Sequence, residues 1–311
     1  MDFINALPGA CAEGLIWGLM AIGVYISYKI LDIADLTVEG SIVTGACISV
    51  VMVNAGAPIW LSIIVAFLAG ALSGILTGVL HTALGIPSIL AGILTQLILF
   101  SVNMAILGGK SNVAFKYGIN LWVKASQNWL SILIVGIFVV ALIVGLWLFF
   151  YTELGLTIKS TGDNPDMSRA QGVNVNLNKV IGLALSNGIV ALSGALLAQY
   201  MGRADVNDGR GAIVIGLAAI FIGLAVSTKI KPNLVVSLVG VVGGSIVYRI
   251  IYTIVIMIGI DTNYLKMLSA IIVVCFLAIP YIKGRYFTRV KPSASVIEDA
   301  EIKQSGGEAN E

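Results

Sequence analysis

The side chains here that could do chemistry are few, and most of them sit where polarity is costly. Glu39, Gln96, Asn103, Asn187, Gln199 and Arg249 each interrupt a long apolar run. A polar group in such a run needs a partner or water in place of lipid, which makes each of the six a candidate to line a solute pathway. The competing role for the amides is a structural bond between helices, contributing about 0.6 kcal/mol each. Glu39 stands beside Gly40 at the start of its run, where a carboxylate can gate a path or orient a zwitterion. Glu39 and Arg249 are opposite in charge and would satisfy one another if the fold brings them together. One His (His81) and three scattered Cys (Cys11, Cys47, Cys275) leave no expected metal centre and no disulfide framework. A membrane-embedded enzyme would need clustered His, Cys or paired carboxylates at one depth, and these are absent from the sequence. Gly109-Lys110-Ser111 copies the end of a phosphate-binding loop, but Met104 stands where the first Gly belongs and an apolar run precedes it. It is not a nucleotide site, so any ATP-driven step needs a second polypeptide.

The richest polar stretch is STGDNPDMSRAQG, residues 160–172. It predicts a short helix with both ends written in. Asn164 is a good N-cap and Pro165 suits the first helical position. Asp166 lies in the first turn, where the helix dipole favours an anion, and Gly172 provides the stop. Held just outside a membrane, with apolar Met167 between charges, such a helix fits another protein's groove; a plain solvated loop is the competing reading.

The elements that must position these residues follow from composition. Of 311 residues 58% are apolar and 11% charged, against roughly 25% charged in a soluble domain. A mean hydropathy of +1.00 cannot face water, so a soluble enzyme is excluded. The net charge of +2 offers no basic excess for nucleic acid. Nothing alternates with the period of a barrel strand, so the fold class is an all-α polytopic membrane protein of 8–10 helices. Nine candidate spans fall at about 11–29, 37–55, 58–80, 87–107, 129–151, 178–201, 212–228, 233–258 and 264–282. The second and seventh begin beside Gly and charge (Glu39-Gly40, Arg210-Gly211), the mark of a broken or half-depth helix. With the loop 151–179 inside, Lys and Arg divide eleven inside to six outside, predicting an outside N-terminus and a cytoplasmic C-terminus. Met1 to Glu13 carries no Lys or Arg, so the first run reads as a retained span rather than a signal peptide. A transmembrane domain of residues 1–282 then precedes a polar tail, 283–311, of disordered composition.

An internal echo runs through the spans. Ser41 to Ala46 recurs as Ala212 to Leu217, and Gly70 and Gly74 as Gly240 and Gly244. The echo pairs spans an odd number apart, so the halves would be inverted repeats, an arrangement typical of transporters that open alternately to each side.

The segment GDNPDMSRAQGVNVNLNKVIGLALSNGIVALSGALLAQYMG, from Gly162, resembles the cytoplasmic coupling loop and following helix of ABC-importer permeases of the branched-chain amino acid and ribose superfamily. Asp35 to Ser41 is similar to that superfamily's D-L-S-V-G-S element, with Glu39 added. Leu84 to Thr95 and Ala204 to Asn207 are closer to a subgroup paired with lipoprotein-type binding proteins, some linked to tryptophan or tyrosine uptake. The resemblance covers roughly residues 10–282 and implies a permease in a bacterial cytoplasmic membrane that dimerises with a second copy, in contact with membrane lipid. It implies two separate ATPase subunits that bind the ATP, docked on Asp163, Asn164, Pro165, Asp166, Met167, Arg169, Ala170 and Gly172. It also implies an extracytoplasmic binding protein that delivers a small organic solute: an amino acid, aromatic ones included, or a sugar- or nucleoside-like compound. The chain departs from the pattern at Asp208-Gly209-Arg210-Gly211, where Met-Gly-Ile-Gly is expected, and at Leu224, where Glu is expected. An ion-gradient-driven transporter would share the inverted repeats, but it has no need of a capped cytoplasmic helix.

Overall fold

The computed structural model describes residues 2–227 and 233–258, with isolated positions 267, 270, 271, 274 and 278. The ninth candidate span lies largely outside the described residues, as does the tail 283–311. The other eight spans are helices. They are α1 (Asp2–Tyr25, prolonged by a π-helical turn Ile26–Ile30), α2 (Val38–Asn54), α3 (Ile59–Thr82), α4 (Ser88–Ile106), α5 (Asn128–Phe150), α8 (Val175–Met201), α9 (Ala212–Ser227) and α10 (Leu234–Met257). Among the described residues, six helices are long and apolar enough to cross a membrane, while α2 and α9 are shorter apolar helices. Their 17 and 16 residues reach only about 25 Å at 1.5 Å per residue, less than a hydrocarbon core of about 30 Å. The two spans flagged by Gly and charge are thus the two short ones.

The polar stretch 151–179 folds as two helices rather than one. Glu153–Asp163 forms α6 and Pro165–Ala170 forms α7, with Asn164 extended between them. At the opposite end of the bundle β1 (Asn112–Ala114) pairs antiparallel with β2 (Arg203–Asp205) in a short ribbon.

The helix packing is doubled. Ser193 Oγ donates to Ile16 O and Ser186 Oγ donates to Gly23 O, both at 2.7 Å. With residue 16 opposite 193 and 23 opposite 186, α1 and α8 cross antiparallel. Around them α3 packs chiefly on α8, and α10 packs on α9 and on α1, so the third helix of each half lies on the first helix of the other. The halves run in opposite directions, as the echo predicts.

Half of the echo is a structural equivalence. Gly45 of α2 lies against Ala191 of α8, and Gly216 of α9 against Met20 and Val24 of α1. The other half is not. Gly70 and Gly74 meet α8 at Asn187 and Leu183, whereas Gly240 and Gly244 meet α9 at Gly223 and Ala219. Helix α3 starts at 59 and α10 at 234, an offset of 175, so the glycines matched at 170 stand on different faces. Several crossings are backbone-close: a Cβ on Gly194 would meet Ile42 O. Outward faces remain apolar, as on α5, where Leu133, Ile137, Val140 and Val144 are exposed, the face a lipid-facing helix presents.

Candidate functional site

Both short helices begin at one cleft. Glu39 lies in the first turn of α2, and its Oε1 accepts from the backbone N–H of Gly211, 2.8 Å away, just before α9. Its Oε2 accepts from Gln96 Nε2 of α4 at 2.9 Å. Seven residues along α4, on the same face, Asn103 Nδ2 donates to Gly40 O at 3.3 Å. One carboxylate therefore ties together the starts of α2 and α9 and the middle of α4. The cleft, about 500 Å³ including its mouth, is lined by these groups, by Leu97 and Phe100 of α4, and by Arg210. The arrangement offers charge of both signs beside an aromatic ring. Its size and lining suit a small amphipathic solute, and among the described residues no nucleophile stands beside a second acid or base there.

Beneath it lies a buried polar network centred on Asp35, in the non-helical break before α2. Asp35 Oδ1 accepts from Thr37 N at 2.9 Å and Oδ2 from Asn187 Nδ2 at 2.6 Å. Ser41 Oγ donates to Asn187 Oδ1 at 2.7 Å and meets Ser73 Oγ at 2.7 Å, while Thr37 and Thr77 share a hydroxyl contact at 2.6 Å. Every member is buried. The break between α1 and α2 is thus held by side chains that replace the backbone ladder it lacks.

Arg249 is elsewhere. Its Nη1 lies 3.4 Å from Glu13 Oε2, and its guanidinium stacks over Trp17 at 4.8 Å and Tyr252 at 5.3 Å. The expected Glu39–Arg249 pair does not form, because α10 packs on α1 and meets that helix's acid instead of α2's. Gln199 is 1% exposed on α8, with neither end of its amide hydrogen-bonded among the described residues.

At the other end of the bundle α7 forms as the residues predict. Asn164 Oδ1 accepts from Met167 N at 2.9 Å, Pro165 opens the helix, and Gly172 follows it at φ +82°, left-handed backbone that favours glycine. Asp166 and Arg169 pair at 3.2 Å on the exposed face, beside the exposed Met167. The pair of helices is seated rigidly: a Cβ on Gly162 would meet Ile30 O at the foot of α1, and Asn178 Nδ2 donates to Thr161 Oγ1 at 3.0 Å.

A family model described as "Branched-chain amino acid transport system / permease component" matches residues 9–277. The chain belongs to this family. It is 36% identical over 278 residues to a tyrosine transport system permease protein of Clostridioides difficile, covering 88% of this chain and 91% of that one. An uncharacterized protein of Rickettsia prowazekii is 31% identical over 86% of this chain and 95% of its own length. An autoinducer 2 import system permease protein, LsrC, of Salmonella paratyphi B is 27% identical over 71% of this chain and 63% of its own. No solved structure matches.

The chain is accordingly a multi-pass membrane permease component of an ABC importer for small solutes. Of the permease's six polar candidates inside the spans, three converge: Glu39, Gln96 and Asn103 share the cleft. Asn187 belongs to the Asp35 network, Arg249 to its pair with Glu13, and Gln199 stands by itself. Sequence reasoning named Asp35, Thr37 and Arg210 only as parts of motifs and did not make them, or Ser73, Thr77 and Glu13, site candidates. A signal for the first was present: Ala34-Asp35 recurs as Ala204-Asp205. Asp205 Oδ1 likewise accepts from the N–H two residues on, at 2.9 Å, so each half carries the same carboxylate-capped turn before its short helix.

Proposed function

We propose that this permease imports an amino acid with an aromatic side chain, working as a dimer of two copies. ATP is bound and hydrolysed by separate subunits docked on α6–α7, and an extracytoplasmic binding protein delivers solute at the ribbon end. The α6–α7 end and the C-terminus then face the cytoplasm, in a bacterial cytoplasmic membrane. The observation that carries this reading is α7 itself: six residues, capped at both ends, held against α1 and α8 through α6, and presenting Met167, Asp166 and Arg169 outward. A rigid exposed knob transmits a push, which a solvated loop does not. The eleven-to-six division of Lys and Arg supports the sidedness, and the tyrosine-permease relative supports the solute.

The test is a pull-down of tagged permease from mild-detergent extracts of its native membrane, with and without Asp166→Lys. The expected result is an ABC ATPase that co-purifies with the wild type and is lost or sharply reduced in the variant. Gly172→Ile, which forces a β-branched residue into left-handed backbone, is expected to uncouple ATP hydrolysis from uptake while leaving the bundle folded. Recovery of no ATPase with the wild type would bring forward a gradient-driven transporter, with Glu39 as the residue to examine. Normal uptake in both variants would remove the docking assignment.

A further inference from the structure

We propose that Arg210 reads the carboxylate of the solute as it crosses the cleft, a specificity role that rests on the permease reading above. Arg210 lines the cleft and directly precedes Gly211, whose N–H is bound by Glu39. Among the described residues the Arg210 side chain forms no ion pair and no hydrogen bond. The nearby Arg203 is committed, paired with Asp205 at 3.2 Å and Asp208 at 3.4 Å.

The obvious partner for Arg210 is Glu39 in the same cleft, yet the two do not pair. Both carboxylate oxygens of Glu39 are held in place, by Gly211 N and Gln96 Nε2. The cleft therefore keeps an anchored anion and an unengaged cation apart, which suits a zwitterion lying between them. A neutral sugar offers the exposed guanidinium no charge to pair with. Two further features agree. Asn103 is 1% exposed, lines the cleft, and has its Oδ1 without a partner, an acceptor left over for a donor on the solute. The start of α9 also places the positive end of a 16-residue helix beside Arg210, and half-depth helix starts favour anionic groups. A guanidinium offers two parallel N–H donors to a carboxylate, which an ammonium does not.

The experiment measures uptake of radiolabelled L-tyrosine and of tyramine, which lacks the carboxylate, in cells whose only copy is wild type, Arg210→Gln or Arg210→Lys. The expected wild type carries L-tyrosine and not tyramine. Arg210→Gln should lower the maximal uptake rate about tenfold, the scale of one charge-assisted contact. The half-saturating concentration should hold, because it is set before the solute reaches the cleft. Arg210→Lys should recover part of the rate. Membrane levels and co-purification of the ATPase should be equal in all three, which separates this role from a folding defect. Wild-type rates in Arg210→Gln, or equal transport of tyramine, would overturn the assignment. So would a wild type that retains its ATPase but carries only solutes without a carboxylate, and in that case the importer reading would stand. Absence of both ATPase and ATP-dependent uptake in the wild type would bring down the importer reading itself.

Discussion

Asp35 shows how one side chain can hold a membrane helix open. Its two oxygens answer Thr37 N and Asn187 Nδ2, and Asn187 in turn answers Ser41. Asp35→Leu leaves two buried donors unanswered, at about 1–3 kcal/mol each, so the thermal unfolding midpoint in detergent should fall clearly. Asp35→Asn, which keeps one acceptor, should cost less. An equal midpoint for wild type and Asp35→Leu would show that the network is not what holds the break. The Glu13–Arg249 pair makes a second case. Arg249→Met strands Glu13, whose side chain is 19% exposed, and should destabilise by about 3 kcal/mol, the low end for a buried pair. Adding Glu13→Gln should restore most of the loss, and a double variant no better than the single one would contradict this account. Residues at this scale were unevenly legible. Glu39, Gln96 and Asn103 stood out because polarity in an apolar run is expensive. Asp35 did not, because it lies between runs, where a carboxylate reads as ordinary loop.

At the scale of elements, glycine decides how closely helices approach. A Cβ on Gly45 would run into Ala191 O, and one on Gly74 into Leu183 O, whereas Gly136 and Gly145 of α5 face open space. Gly45→Val and Gly74→Val should therefore abolish monodisperse protein in detergent. Gly136→Ala should be tolerated or stabilise slightly, since alanine is the better helix former by about 1 kcal/mol. Comparable losses in all three variants would mean that packing at the crossings is not the governing effect. Helix ends were readable locally: Asn164 with Pro165, and Gly172, mark the limits of α7 because capping involves neighbours in sequence. The separation of α6 from α7 was missed. Asn164 both ends one helix and caps the next, and only its extended backbone, φ −156° and ψ 99°, distinguishes the roles.

For the whole molecule, the ribbon end and the α6–α7 end must lie on opposite sides of the membrane. With Cys11, Cys47 and Cys275 replaced by Ala, Tyr117→Cys near the ribbon should react with a membrane-impermeant maleimide in intact cells. Met167→Cys should react only after lysis. The reverse pattern would invert the proposed topology. Both positions are exposed, so access depends on side and not on burial.

The membrane class, the eight apolar helices among the described residues, the two short ones included, and the capped helix α7 all followed from the sequence by itself. Each is set by local quantities: hydropathy over some 20 residues, or the residue types at a helix end. What only the tertiary structure decided was partnership across distance. It gave Arg249 to Glu13 rather than Glu39, put Asn187 in the Asp35 network rather than the cleft, and placed Arg210 in the cleft of Glu39 with no bond to it among the described residues. It also moved the glycine echo out of register between α3 and α10. These outcomes depend on the angle and depth at which helices some 150 residues apart cross, and no local pattern carries that information.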